Sequence, residues 1–206
     1  MTTMARSRYG PRTALLVVDV QNDFADPDGS LYVRGGEAVI APINADIRAA
    51  QTAGSPVVYT QDWHPASTPH FARDGGTWPV HCVQGTWGAE FHPDLLVLDG
   101  APVVRKGSGG EDGYSAFSVR DPVSGDVTRT QLGGLLRERG VERVVIAGLA
   151  TDYCVKETGL DAVRLGLHPT VLRDAVRAVD LQPGDGARAL DELAAAGVVL
   201  DRSGGR

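Results

Sequence analysis

Cysteine is scarce in this chain of 206 residues: only Cys82 and Cys154 occur. Free thiols are expected rather than a disulfide, and one of the two is a candidate nucleophile. Basic charge is in deficit too. Twenty Lys and Arg stand against 26 Asp and Glu, a formal net charge of −6, and the cations are dispersed without a dense run. Phosphate neutralisation needs a basic face, so no nucleic-acid partner is expected. No apolar run is long enough to span a bilayer, and residues 1–8 lack the apolar core of a secretory signal. The expectation is a cytoplasmic protein without membrane association. Composition is that of an ordinary globular protein, 42% hydrophobic and 22% charged. Residues 13–200 are expected to form one domain, between a mobile N-terminal extension at 1–12 and a mobile tail at 201–206.

Strand and helix signals alternate along the chain. Residues 14–20 form a near-continuous apolar run closed by Asp19 and Val20, the pattern of a strand covered on both faces. Residues 36–53 follow with Val39, Ile40, Ile43, Ile47 and Ala50 near one helical stripe, ended by Gly54. Strands are predicted at 56–60, 102–106, 142–148, 169–172 and 197–200, and helices at 131–139, from Thr151 or Asp152 to 165, and at 185–196. Such alternation predicts an α/β fold: a mostly parallel central sheet with helices on both faces, a three-layer α/β/α arrangement. Residues 62–95 read as a long ordered loop, 107–113 as a flexible turn, and 121–129 as a polar excursion.

The densest chemistry lies just past the strand at 56–60. Three of the five histidines, His64, His70 and His81, follow Asp62 closely. Asp62 and His64 are two apart at a strand end and point to one side. A carboxylate and imidazoles so placed make a candidate site for a first-row divalent metal. Asp19, Asp62, Lys106 and, after Gly148, Cys154 all sit at the carboxyl end of a predicted strand, where open parallel sheets bind ligands. Cys154 opens a predicted helix. There the helix dipole stabilises a thiolate and unpaired N–H groups can hold an oxyanion, but a packed apolar thiol fits the same position. A buried Asp19 needs a partner. It can serve as a base toward Cys154 with Lys106 balancing its charge, or simply pair with Lys106. Trp63 and Trp87 read as packing residues, Cys82 as a buried thiol, His92 and His168 as surface or satisfied core positions, and Asp23 and Asp152 as helix or turn caps.

Five segments together, at 17–24, 62–65, 78–82, 106–107 and 148–155, resemble the nicotinamidase branch of the isochorismatase-like hydrolases, in that family's order and over residues 14–200. The resemblance implies the isochorismatase-like fold and a catalytic triad of Asp19, Lys106 and Cys154. It implies an oxyanion hole from the backbone N–H groups of Ala150 and Cys154, beside a cis peptide between Leu149 and Ala150. It implies one divalent metal (zinc, iron or manganese) on Asp62, His64, His70 and His81. Phe24, Trp78 and Tyr114 take the positions of pyridine-stacking and pocket-lining residues. The implied reaction is hydrolysis of nicotinamide, or an analogue, to nicotinate and ammonia through a cysteine thioester. The alternatives are a sibling hydrolase acting on another small amide or a vinyl ether, and an inactive ligand-binding relative. Homo-oligomerisation stays open. The chain departs from the family's compact pattern after Lys106, where 107–117 is longer and rich in glycine and acids, and again at 121–129.

Overall fold

The computed structural model describes residues 8–204. In chain order the elements are β1 (Thr13–Val18), α1 (Asn22–Ala25), α2 (Ile40–Thr52), β2 (Val57–Asp62), β3 (Val103–Lys106), β4 (Ser118–Arg120), β5 (Val127–Arg129), α3 (Leu132–Glu138), β6 (Arg143–Leu149), α4 (Lys156–Arg164), β7 (His168–Arg177), α5 (Asp185–Ala195) and β8 (Val199–Asp201). Six strands form one sheet in the order β3-β2-β1-β6-β7-β8, and every pairing within it is parallel.

The three layers follow from alternation along β1, all of whose residues are buried. Leu15 and Val17 face one side and pack with Ile43 and Ile47 of α2. Ala14, Leu16 and Val18 face the other and pack with Leu132 and Leu136 of α3, Ala162 of α4 and Leu193 of α5. Successive strand residues point to opposite faces, so a strand covered on both sides must be apolar throughout. Each fully buried Leu, Ile or Val contributes about 1.5–3 kcal/mol of transfer free energy.

The sheet order sets where a ligand can sit. From β1 the chain winds outward through β2 to β3. It then returns to β6 on the other side of β1 and winds through β7 to β8. The switch point lies between β1 and β6, and a crevice opens beyond their carboxyl ends. Gly148 makes the β1–β6 contact possible there. Its φ is +126°, and a Cβ on it would overlap the backbone of Val18. The β6–β7 register slips between Ile146 and Gly148, and β7 runs on to Arg177, beyond the expected end at residue 172.

Other elements also differ from expectation. The polar excursion contains an antiparallel hairpin of β4 and β5, separate from the main sheet, with Asp121 Oδ1 accepting from the N–H groups of Val123 and Ser124 in its turn. The helix expected from residue 36 begins as a 3-10 turn over Gly36–Val39, and the one expected at Thr151 or Asp152 begins as a single π turn, Thr151–Val155. At the ends, Tyr9 is buried and donates to Asp46 Oδ1 at 2.8 Å, while Ser203 bonds Asp174 through its N–H and hydroxyl at 2.7 and 2.6 Å. Of the extension and tail expected to be mobile, residues 1–7 and 205–206 lie outside the described residues.

Candidate active site

Four strand ends deliver side chains to the crevice. Asp19 follows β1, Asp62 closes β2, Lys106 closes β3, and the turn after β6 carries Cys154. The Leu149–Ala150 peptide is cis. Lys106 is the hub. Its Nζ lies 2.6 Å from Asp19 Oδ2, 2.9 Å from Asp62 Oδ1, 3.4 Å from Cys154 Sγ and 3.2 Å from the Tyr114 carbonyl oxygen. A carboxylate oxygen of Asp19, one of Asp62 and the Cys154 sulfur all lie within 4.8 Å of one another. Asp19 is held from its far side too: Thr60 Oγ1 donates to Oδ1 at 2.5 Å and accepts from the Asp19 N–H at 3.1 Å.

Burial and charge together set the proton inventory. Asp19, Lys106 and Cys154 are all buried. Burial pushes Asp19 up, the Lys106 ammonium pulls it down, Asp62 pushes it up again, and the outcome is a raised value. Burial also pushes Cys154 up, and although Lys106 opposes this, the two carboxylates reinforce it, so the thiol titrates well above its ordinary value. Of the two readings open from sequence, a dipole-stabilised thiolate and a packed thiol, desolvation and the two nearby carboxylates favour the protonated sulfur. Lys106 moves the other way: burial lowers it, but Asp19, Asp62 and the sulfur raise it well above the usual lysine value.

The histidines gather beside this cluster. His64, His70 and His81 are all buried and each offers a ring nitrogen within 4.8 Å of the others. Asp62 Oδ2 lies 3.8 Å from His64 Nε2 and 3.8 Å from His81 Nε2. Burial opposes ionisation of Asp62, but Lys106 and these two imidazoles outweigh it and hold the carboxyl well below the usual range. Both ring nitrogens of His64 are buried without a hydrogen-bond partner. Gly107, at φ +74°, packs so closely on His64 Nδ1 that a side chain there would collide with the ring. Orphaned buried nitrogens are costly, and a cation among three imidazoles and one carboxylate would satisfy them. These residues fit a divalent metal ion.

A small cavity opens onto both clusters. Cys154, Ala150, Asp62, His70 and His81 line its inner part, and Phe24, Trp78 and Tyr114 line its wall. Trp78 Nε1 donates to the Tyr114 hydroxyl at 3.0 Å. Sequence reasoning missed four further wall residues: Leu31, Val33, Tyr153 and Val179. Tyr153 stands edge-on to Trp78, with centroids 4.9 Å apart, and to Tyr114 at 5.2 Å. Its place beside Cys154 was an available signal. Nothing local marks Leu31, Val33 or Val179, which tertiary packing brings in.

The remaining chemical residues take supporting places. Asp23 and Asp152 are not helix caps. Asp23 accepts from Ser30 N at 3.0 Å and Cys82 N at 2.6 Å, which ties the loop carrying His81 to α1, and Gly88 leaves room for its carboxylate. Asp152 accepts from Val179 N at 3.0 Å and Asp180 N at 2.9 Å, joining the Cys154 turn to the segment after β7. Cys82 is a buried free thiol. His92 is buried near Asp26, and His168 is exposed. Trp63 lies beneath the Arg105 guanidinium, 3.8 Å from its ring centre, whereas Trp87 is 48% exposed and not a packing residue. No helix among the described residues is long and apolar enough to cross a membrane.

Residues 13–203 match the family described as the Isochorismatase domain. The nicotinamidase of Escherichia coli (strain K12) is 40% identical over 206 residues, spanning 92% of this chain and 94% of that protein. Among solved structures, the pyrazinamidase of Pyrococcus horikoshii in complex with zinc superposes with a TM-score of 0.83 at 40% identity, over 93% of this chain and 99% of the other. The PnC1 protein of L. infantum in complex with nicotinate gives a TM-score of 0.85 at 38% identity, over 95% of both chains.

Proposed function

This chain belongs to the isochorismatase family, and from that premise we propose that it hydrolyses nicotinamide to nicotinate and ammonia through a thioester on Cys154. The observation that carries the reading is the juxtaposition of a buried Cys–Lys–Asp cluster with a histidine cluster along one aromatic-walled cavity.

The chemistry follows from the proton inventory. Asp19 takes the proton from Cys154 Sγ as the sulfur attacks the carboxamide carbon. A raised Asp19 pKa makes the carboxylate a better base than an exposed one. Lys106 keeps its charge throughout and offsets the negative charge that builds as the thiolate forms. The Ala150 and Cys154 N–H groups donate to the oxyanion, an interaction worth on the order of 3–4 kcal/mol of barrier lowering per donor. Asp19 then passes its proton to the departing nitrogen, which leaves as ammonia. In the second half, Asp19 accepts a proton from water as the water oxygen attacks the thioester. The C–S bond breaks, the proton on Asp19 returns to the sulfur, and the acid product leaves, giving its carboxyl proton to solvent as nicotinate.

Asp62, His64, His70 and His81 would hold the metal, and their nitrogen and oxygen donors accept zinc, iron or manganese. When bound, the ion supplies a Lewis-acid site beside the cavity for the heteroaromatic nitrogen of the substrate. Phe24, Trp78 and Tyr114 hold the ring between apolar faces and exclude water from the forming thioester. Two free thiols fit a reducing, cytoplasmic setting.

Ammonia release from nicotinamide, measured with metal-loaded and chelator-stripped protein, tests the reading. Turnover that collapses on stripping and returns with added metal is expected. Absence of turnover in the loaded protein would refute the reading, and full turnover after complete stripping would remove the metal from it.

A further inference from the structure

His70 and His81 each have one ring nitrogen engaged outside the cavity, by different acceptors. His81 Nδ1 lies 2.7 Å from the Pro79 carbonyl oxygen. His70 Nδ1 lies 2.8 Å from Asp112 Oδ1. An acceptor at Nδ1 fixes the proton there and leaves Nε2 with its lone pair. Asp112 comes from the segment after Lys106 where the chain departs from the compact family pattern.

We propose that Asp112 is a positioning residue for the metal centre: its carboxylate holds the His70 ring with Nδ1 protonated and Nε2 turned toward the ion. The inference rests on the reading of Asp62, His64, His70 and His81 as metal ligands. Three further observations show a built contact. Asp112 exchanges both backbone hydrogen bonds with Arg120, the last residue of β4, at 2.7 and 2.5 Å. The Gly113 N–H donates to Asp112 Oδ1 at 2.9 Å, so the oxygen that meets His70 is itself anchored. Gly113 has φ +148°, and a side chain there would press on the backbone of Val119 and Ser118, so glycine lets the strand approach close enough to place Asp112. The His70 ring is also stacked on His64, with centroids 4.6 Å apart and planes 19° apart, which leaves it little freedom to rotate.

The consequence is a division of labour. The His64 ring has no hydrogen-bond partner, His81 is held by a backbone carbonyl, and His70 is held by an anion whose backbone is pinned to a hairpin outside the central sheet. A carboxylate behind a ligating imidazole orients it and raises its basicity, and loss of such a partner typically weakens metal binding roughly 10- to 100-fold.

The test is zinc affinity, measured by competition with a chromophoric chelator, on stripped wild-type protein and on Asp112→Ala, Asp112→Asn and His64→Ala variants. Nitrogen NMR of the stripped wild-type protein reports the His70 tautomer. Asp112→Ala is expected to bind zinc roughly 10- to 100-fold more weakly, with the melting curve of the stripped protein unchanged. Asp112→Asn keeps an acceptor oxygen and should lose less. His70 should carry its proton on Nδ1. Equal zinc affinity in Asp112→Ala and wild type, or a His70 proton on Nε2, overturns the proposal. If Asp112→Ala melts early, the affinity of the near-isosteric Asp112→Asn and the wild-type tautomer decide the matter by the same criteria. If His64→Ala binds zinc as tightly as wild type, the metal reading itself has failed and the role of Asp112 falls with it. An intact His64 effect beside a silent Asp112 overturns the positioning role alone.

Discussion

Replacing Lys106 with methionine probes the most heavily coupled group in the fold. The ammonium is 1% exposed and stands between two carboxylates, 2.6 Å from Asp19 and 2.9 Å from Asp62. Methionine keeps much of the volume and removes the charge, which leaves two buried anions facing each other. Breaking a buried ion pair by deleting one partner costs about 3–5 kcal/mol. For a chain of this size, each kcal/mol moves the melting temperature by roughly 2–4 °C, so a fall of roughly 6–20 °C is expected.

The pH dependence carries a sign. Asp62 titrates well below its ordinary value in the folded protein, so its contribution is present above the unfolded carboxylate pKa and is lost as pH falls through the folded one. Lys106 titrates well above its ordinary value, so its contribution is intact below the unfolded lysine pKa and is lost only as pH rises through the folded one. In Lys106→Met neither carboxylate has its cation, and both take up protons as pH falls. The stability gap between wild type and variant should therefore be widest near neutrality and narrow toward about pH 4. Urea melts of chelator-stripped protein across that range measure the gap, and stripping prevents a bound ion from compensating Asp62. A loss under about 1 kcal/mol at neutral pH, or a gap that fails to narrow on acidification, would refute the reasoning. Adding Asp19→Asn to the variant should recover part of the loss, because it removes one of the stranded anions.

Cys154→Ala should lower nicotinamide turnover by roughly 10³-fold or more while stability changes by no more than about 2 kcal/mol; retained ammonia release in the folded variant would reassign the nucleophile. Tyr153→Ala removes two edge-on ring contacts from the cavity wall, and steady-state kinetics should show KM for nicotinamide rising roughly 10-fold, whereas an unchanged KM would make Tyr153 a bystander. Gly148→Ala places a Cβ into the Val18 backbone at positive φ and should cost at least about 3 kcal/mol in denaturant melts; wild-type stability would mean that β1 and β6 can separate freely there.

Much of this architecture is written locally. The unbroken apolar run 14–18 can only be a strand buried on both faces, and the parallel sheet follows from its alternation with helical periods. The placement of Asp19, Asp62 and Lys106 at strand ends was legible for the same reason, because a polar residue can close a buried strand but not interrupt it. Asp62, His64, His70 and His81 were legible as a group because they crowd one short stretch of chain.

Tertiary structure decided what spacing cannot encode. The protonation of Cys154 depends on burial and on carboxylates at the ends of β1 and β2, which the helix-terminus argument, even between thiolate and packed thiol, does not contain. The short strands β4 and β5 carry mixed, partly exposed sequences with no alternation to mark them, yet the end of β4 pins Asp112 behind His70. Asp23 and Asp152 resemble caps in sequence but bond backbone donors far along the chain. Leu31, Val33 and Val179 reach the cavity only because separate loops fold over one crevice. Periodicity records which face of an element is apolar. The distance between groups on different elements is set by sheet order and packing, and those exist only once the chain has closed on itself.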